Sequence, residues 1–282
     1  MCCDGKGGHQ RGDRRPGPHR RELSLVLRSL LPDATDQVDL VATYSRDLRL
    51  PEGRPFVRVN MVSTLDGAIA LGGRAGKISG PADRSLFFVL RSLADVVLVG
   101  AGTVRAENYG PVKLPEDVQR TRVERGQSQL PRLAVVTHRV DLDFGSRLFV
   151  GNSERPIVIA PGGADPGALE EARLVADVVA AGAEIVDLPS ALATLGDQGI
   201  RHILCEGGPT LNESLVKASL VDEFCLTLSP KLAPGAGKGL VHGWLGDHSA
   251  DQVGRRVADL MELGLVHVLE QDGFLFLRLR TS

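Results

Sequence analysis

Hydrophobic and polar positions follow two interleaved periods along the chain. Val57, Val59 and Met61 alternate with Arg58 and Asn60, which predicts a strand over Phe56–Val62. Pro81 can open a helix without losing a hydrogen bond, and Leu86, Val89, Leu90 and Leu93 then share one face. Asp95-Val-Val-Leu-Val-Gly100 is a short, continuous apolar run, the pattern of a strand buried on both sides. Further strands are predicted at Leu133–Thr137, Ile157–Ala160, Glu184–Leu188 and His202–Cys205. Between them, Pro166–Ala180, Leu192–Gln198 and Pro209–Ala218 read as helices. Such alternation predicts an α/β fold with a single, mainly parallel sheet flanked by helices. The chain then changes character. Phe224–Leu228, Leu265–Leu269 and Phe274–Leu279 read as strands, the last two joined by Glu270-Gln-Asp-Gly273, where glycine can take positive φ. An antiparallel C-terminal edge follows.

Upstream, Leu23–Leu31 has a helical pattern that Pro32 and Asp33 end, and Asp36–Tyr44 has another. Leu50, Pro51, Gly53 and Pro55 form a linker. The expected organisation is a disordered basic tail over 1–22, a helical extension and linker over 23–53, and one domain over 54–282. The tail prediction rests on composition. Residues 1–21 hold six basic side chains against two acidic ones and almost nothing apolar, too little to offset ordering entropy. A nucleic-acid arm is the alternative reading of that charge.

The full chain has 282 residues and a net charge of −2, so no overall field recruits nucleic acid or an anionic membrane. No apolar run approaches the roughly 18 residues of a membrane span. Its four cysteines have no metal-ligand spacing and suggest no disulfide framework, which fits a reducing cytoplasm and no metal. Cys205 precedes Glu206 in a loop and could be a nucleophile, but a buried strand thiol is the plainer reading.

Chemistry concentrates in turns at strand ends. Gly100-Ala-Gly102-Thr103 and Glu206-Gly207-Gly208-Pro209-Thr210 each link a buried strand to a helix. Glycine there lets phosphate approach the backbone, and free N–H groups at helix starts favour anions. Many such turns are purely structural, but two of one design favour a nucleotide. Neither is a Rossmann fingerprint or a Walker loop. Thr64-Leu65-Asp66-Gly67 closes the first strand, and Asp66 either shapes its turn or faces the ligand crevice. Thr137 and Arg139, after another strand, could hold a ribose 2′-phosphate, or Arg139 is simply solvated. His138 between them completes no Ser-His-Asp set.

In order along the chain stand Pro55-Phe-Val57, Thr64-Leu-Asp-Gly67, Leu90-Arg-Ser92, Asp95-Val-Val-Leu-Val-Gly100 and Gly102-Thr-Val104 with Glu107. Glu206-Gly-Gly-Pro-Thr-Leu211 and Leu220-Val-Asp-Glu223 follow. This combination resembles the reductase domain of riboflavin biosynthesis, which has a dihydrofolate-reductase-like fold. The resemblance implies hydride transfer from NADPH to 5-amino-6-(5-phosphoribosylamino)uracil or a related ribosylamino-pyrimidine, turning ribose into ribityl. It puts Gly100, Gly102, Thr103, Glu107, Gly207, Gly208, Pro209 and Thr210 at the cofactor, to which the residue pattern above adds Thr137 and Arg139. Asp66 and Glu206 become the catalytic pair and Arg91 a substrate-binding cation; Lys113 joins Arg91 only as the cation nearest to a turn that departs from the family pattern. A homodimer is also implied, in keeping with terminal strands rich in Leu, Val and Phe that need cover.

Three departures stand out. No zinc-deaminase motif is present, so deamination is not expected. Glu107-Asn-Tyr-Gly110 replaces the acid–acid–Pro turn whose following Arg grips substrate phosphate, leaving Lys113 as the nearest cation. Lys77 stands where a tryptophan is common. The altered turn keeps a dihydrofolate or pterin reductase open as an alternative, and a non-catalytic nucleotide-binding protein is the other.

Overall fold

The computed structural model describes residues 27–46, 48–235, 239 and 261–281. In chain order its first elements are β1 (Arg28–Leu31), α1 (Leu40–Ser45), β2 (Phe56–Thr64), α2 (Pro81–Leu93), β3 (Val96–Gly100), α3 (Ala101–Glu107), α4 (Glu116–Glu124) and β4 (Arg132–Val136). There follow β5 (Ile157–Ala160), α5 (Pro166–Val175), β6 (Asp177–Ala180), α6 (Leu188–Asp197), β7 (His202–Cys205), α7 (Pro209–Lys217), β8 (Glu223–Ser229), β9 (Leu263–Gln271) and β10 (Phe274–Thr281). All ten strands form one sheet in the order β1-β9-β10-β8-β2-β7-β3-β4-β5-β6. From β8 to β6 neighbouring strands are parallel, and β10, β9 and β1 add the antiparallel edge.

The apolar runs explain the layers. Alternate residues of β3, Val96 and Leu98 against Val97 and Val99, enter cores on opposite faces of the sheet. One face is covered by α6 and α7. The other carries α3 and α5 over β3, β4 and β5, with α1 and α2 over the β7–β9 side. Asp95, just before β3, knits these layers: it accepts from Gln127 Nε2 (2.6 Å) and from the backbone N–H groups of Arg201 and His202 (both 2.9 Å). Burial alone would raise its pKa, but those bonds and His202 bring it down to about 2. Among the described residues, no helix is long and apolar enough to cross a membrane.

Three expectations are corrected. Arg28–Leu31 is not helical but a strand paired with β9, and the sheet edge overrides the local pattern. The helix from Pro166 stops at Val175, and Asp177–Ala180 pairs in parallel with β5. Glu184–Asp187 is a loop whose last residue caps α6, because β6 already occupies the edge. The reading of 1–22 as a disordered tail lies outside the described residues.

A buried ionic cluster joins α1 to the sheet. Glu223, fully buried, accepts from Arg58 Nε (2.6 Å) and Arg278 Nε (2.7 Å). The far ends of the same guanidinium groups donate to the carbonyls of Tyr44 (2.9 Å), Thr43 (2.7 Å) and Arg46 (3.1 Å), the C-terminal end of α1, where carbonyls lack helical partners. Burial works against ionised Glu223, yet Arg58 and Arg278 hold its pKa below the ordinary value.

Candidate active site

A cleft of about 1380 Å³ opens at the carboxyl ends of β2, β7, β3 and β4, where an open α/β sheet places its ligands. Its floor is built by two turns pressed together. Gly100 N–H donates to Gly207 O (2.9 Å), and Glu206 N–H donates to Leu98 O (3.0 Å). Gly207 has φ +88°, and a Cβ on Gly208 would come within 2.8 Å of Thr103 Oγ1. Gly100 and Gly208 cap α3 and α7 with no side-chain oxygen, which leaves the first N–H groups for a ligand.

Beside the turns lies a polar triad. Arg91, near the end of α2, binds Glu206 through both arms of its fork (2.6 and 2.7 Å). Tyr109 Oη donates to the same carboxylate at 2.5 Å. The Arg91 guanidinium also lies 4.0 Å from the Phe87 ring centre. Burial disfavours its charge, but Glu206 outweighs that and raises its pKa. Burial first, and Glu206 second, lift the Tyr109 pKa well above its ordinary value, so it stays a donor. Across the cleft, Glu107 Oε1 accepts from Ala75 N–H (2.9 Å), tying the loop after β2 to α3.

Of the sequence-predicted residues, Gly100, Gly102, Thr103, Glu107, Thr137, Arg139, Arg91, Lys113, Glu206, Gly208, Pro209 and Thr210 line this cleft. Gly207 lies beneath it as backbone support. Thr137 Oγ1 accepts from Val140 N–H (3.1 Å) and thereby presents Arg139 at the exposed rim. His138 Nδ1 accepts from Val186 N–H (3.2 Å), a loop-bracing role. Asp66 is not brought in. Its carboxylate accepts from Thr64 Oγ1 (2.5 Å) and from Ala233 N–H (3.0 and 3.1 Å), and the Thr64 bond leads in lowering its pKa. Cys205 is fully buried and absent from the cleft lining, and burial pushes its thiol up to about 12, which suits a packed strand thiol rather than a nucleophile. Sequence reasoning missed Tyr109, Phe87, Asp83 and Arg147, all on the cleft. Their helical spacing to Arg91 was the available signal for Asp83 and Phe87; Arg147 reaches the cleft only through the tertiary fold. Among the described residues, no cluster of three or more His, Cys, Asp or Glu could hold a metal.

The sheet order, the paired glycine turns and the cleft define a dihydrofolate-reductase-like oxidoreductase. The RibD C-terminal domain model matches residues 55–253, and the chain belongs to that family. It is 34% identical over 204 residues to the 2,5-diamino-6-ribosylamino-4(3H)-pyrimidinone 5′-phosphate reductase of Methanothermobacter thermautotrophicus, covering 71% of this chain and 89% of that one. The enzyme of the same name from Archaeoglobus fulgidus is 32% identical over 178 residues, or 63% of this chain and 81% of the relative. A solved pyrimidine reductase-like protein from Corynebacterium diphtheriae matches with TM-score 0.73 and 26% identity, over 87% of this chain and 99% of its own.

Proposed function

We propose that the chain is an NADPH-dependent reductase of a ribosylamino-pyrimidine phosphate in riboflavin biosynthesis. The observation that carries this is the juxtaposition of two side-chain-free glycine turns with the Arg91–Glu206–Tyr109 triad in one cleft. The turns fit a dinucleotide: helix-start N–H groups stand free for phosphate, and Gly208 has no room for a side chain. Arg139 at the rim is the group for a ribose 2′-phosphate, and Arg105, close by, is already held by Asp141 (3.2 Å). When bound, the cofactor supplies the hydride, delivered to the sugar carbon of the opened, protonated imine to leave a ribityl amine.

The chain's residues position and polarise. Glu206, fixed from two sides, presents negative charge where the imine carries positive charge, and the Tyr109 and Arg91 bonds prevent it from turning away. Lys113 and Arg147 supply positive charge at the cleft wall for the substrate phosphate; the Arg147 guanidinium lies where a Cβ on Gly110 would meet it at 3.0 Å. Absorbance-monitored NADPH oxidation with ribosylamino-pyrimidine phosphates and with dihydrofolate as competing candidates tests the reading. Turnover of dihydrofolate alone would overturn it.

A second copy of the chain is the proposed partner. Phe224, Leu226 and Leu228 on β8 stand in register with Leu279, Leu277 and Leu275 on β10, all half-buried on the sheet face opposite Cys225 and Phe276. Leu265, paired with Leu279, is 49% exposed. A continuous apolar ladder of this kind needs cover. Light scattering is expected to give a dimer at micromolar concentration, and Leu277→Glu a monomer; a monomeric wild type would refute this. A cytoplasmic location suits the free, buried thiols of Cys205 and Cys225.

A further inference from the structure

Arg91 stands in the last turn of α2, which stops at Leu93. Carbonyls at such an end lack helical partners, and the only closing backbone bond is a long one, from Ala94 N–H to Arg91 O (3.3 Å). A turn left in that state frays. Here a second segment closes it. Arg122 Nη1 donates to the carbonyls of Ser92 (2.9 Å) and Ala94 (2.7 Å) and reaches Arg91 O at 3.5 Å. Gln127 Nε2 donates to Leu93 O (3.3 Å) while holding the Asp95 carboxylate (2.6 Å). Every carbonyl from Arg91 to Ala94 thus receives a side-chain donor from α4 or from the turn after it.

Arg122 also sets a positive charge at the negative end of the α2 dipole. It is fully buried, and its Nε donates to Ser128 O (3.0 Å). Burial brings its pKa down to about 10, which leaves it charged at neutral pH. Its Nη2 has no partner among the described residues. An apolar side chain would fasten α4 to α2 without desolvating a charge, but it would leave the carbonyls around Arg91 open. Arg122 is absent from the cleft lining, so any effect it has on the site passes through α2. The Arg91 fork must meet both oxygens of Glu206 (2.6 and 2.7 Å), and drift of the turn that carries it is passed on to that carboxylate. We infer that Arg122 is a positioning residue of the active site: capping α2 from outside the cleft, it holds the turn from which Arg91 fixes Glu206.

The test reads Arg91 directly. Hydrogen exchange of arginine Nε–H groups is followed by heteronuclear NMR in the wild type, Arg122→Gln and Arg122→Lys, with Arg91→Lys assigning the Arg91 signal. Arg58 and Arg278 serve as internal controls, because their Nε–H groups bond to Glu223 rather than Glu206. Arg122→Gln is expected to speed Arg91 exchange by about 10- to 100-fold, the scale of hydrogen bonds to a charged group, with both controls unchanged. Arg122→Lys keeps the charge but ends short of the Nη1 position, and should fall between. A kinetic arm rests on the pyrimidine-reductase reading. There kcat for hydride transfer should fall about 10-fold or more in Arg122→Gln, with NADPH affinity within about twofold. No further fall is expected where Glu206 is already Gln, since both changes act on one carboxylate. Wild-type Arg91 exchange in a folded Arg122→Gln would overturn the inference. So would equal acceleration of all three arginines, the mark of a merely structural role, or an equal loss of kcat in both backgrounds. If Arg122→Gln does not fold, wild-type Arg91 exchange in Arg122→Lys overturns it. A wild type that reduces no ribosylamino-pyrimidine phosphate counts against the pyrimidine-reductase reading instead, and the exchange comparison still decides the role of Arg122.

Discussion

Replacing Glu206 by Gln keeps the shape of the triad and removes its charge. Its side chain is 3% exposed and that of Arg91 is 12%, so the pair lies almost wholly out of water. Removing one partner of a buried ion pair costs about 3–5 kcal/mol, because the other charge stays desolvated. Gln retains one acceptor oxygen for Arg91, which puts the expected cost near 3 kcal/mol. At about 2–4 °C per kcal/mol for a domain of this size, the melting temperature should fall by roughly 6–12 °C. Tyr109→Phe deletes only the 2.5 Å phenol bond and should cost about 1.5–3 kcal/mol. Because Tyr109 and Arg91 share one carboxylate, the double variant should be less destabilised than the sum, by well over 0.5 kcal/mol. Urea unfolding of the four proteins gives that coupling. Stopped-flow hydride transfer, well below the melting range, gives kcat/KM, expected to fall at least about 100-fold in Glu206→Gln with NADPH affinity within about twofold. Additive energies together with near-normal hydride transfer would refute both the geometry and the role assigned to it.

Other expectations are more direct. Gly208→Val sets a branched side chain against Thr103 Oγ1, where even a Cβ would lie at 2.8 Å, and should abolish NADPH binding in fluorescence titration while the sheet still folds. Arg139→Ala should bring NADPH affinity down toward that of NADH, a loss of roughly 1.5–3 kcal/mol, and equal affinities for both in the wild type would argue against a 2′-phosphate contact. Asp95 has its pKa lowered from 3.8 to about 2, so it contributes stability above pH 3.8 that is lost as pH falls through 2. That contribution is about 2–2.5 kcal/mol, and Asp95→Asn should flatten the acid limb of stability against pH.

How much of this was legible in the sequence depended on how local each signal is. The buried strands β3, β5 and β7 announce themselves as apolar runs bounded by Asp, Pro and Gly, and both cofactor turns are contiguous in sequence. β1 and β6 were hidden because Leu27–Leu31 and Ala172–Ala180 fit a helical pattern equally well. Only partners distant in sequence, β9 for one and β5 for the other, make them strands. α4 was missed since it has little apolar content; what anchors it is a buried arginine, Arg122, donating to the carbonyls of Ser92 (2.9 Å) and Ala94 (2.7 Å). Choosing between acids was harder still. Asp66 occupies the motif but serves its own turn, while Asp83 looks like an ordinary first-turn helix acid until the fold sets it over the cleft.

The Glu223 cluster also bears on where the folding unit starts. A chain cut just before Pro51 would keep Arg58, Glu223 and Arg278 but lose the three carbonyls of Thr43, Tyr44 and Arg46 that receive their outer N–H groups. It would also uncover the free edge of β9 and the pocket that Leu27, Leu40 and Tyr44 fill. Two guanidinium groups would then face a breached apolar layer behind α2, the helix that carries Arg91 and Asp83. The segment ahead of the motif-bearing region therefore acts as the wall plug of the catalytic half, and trimming it by motif boundaries would loosen the cleft from behind.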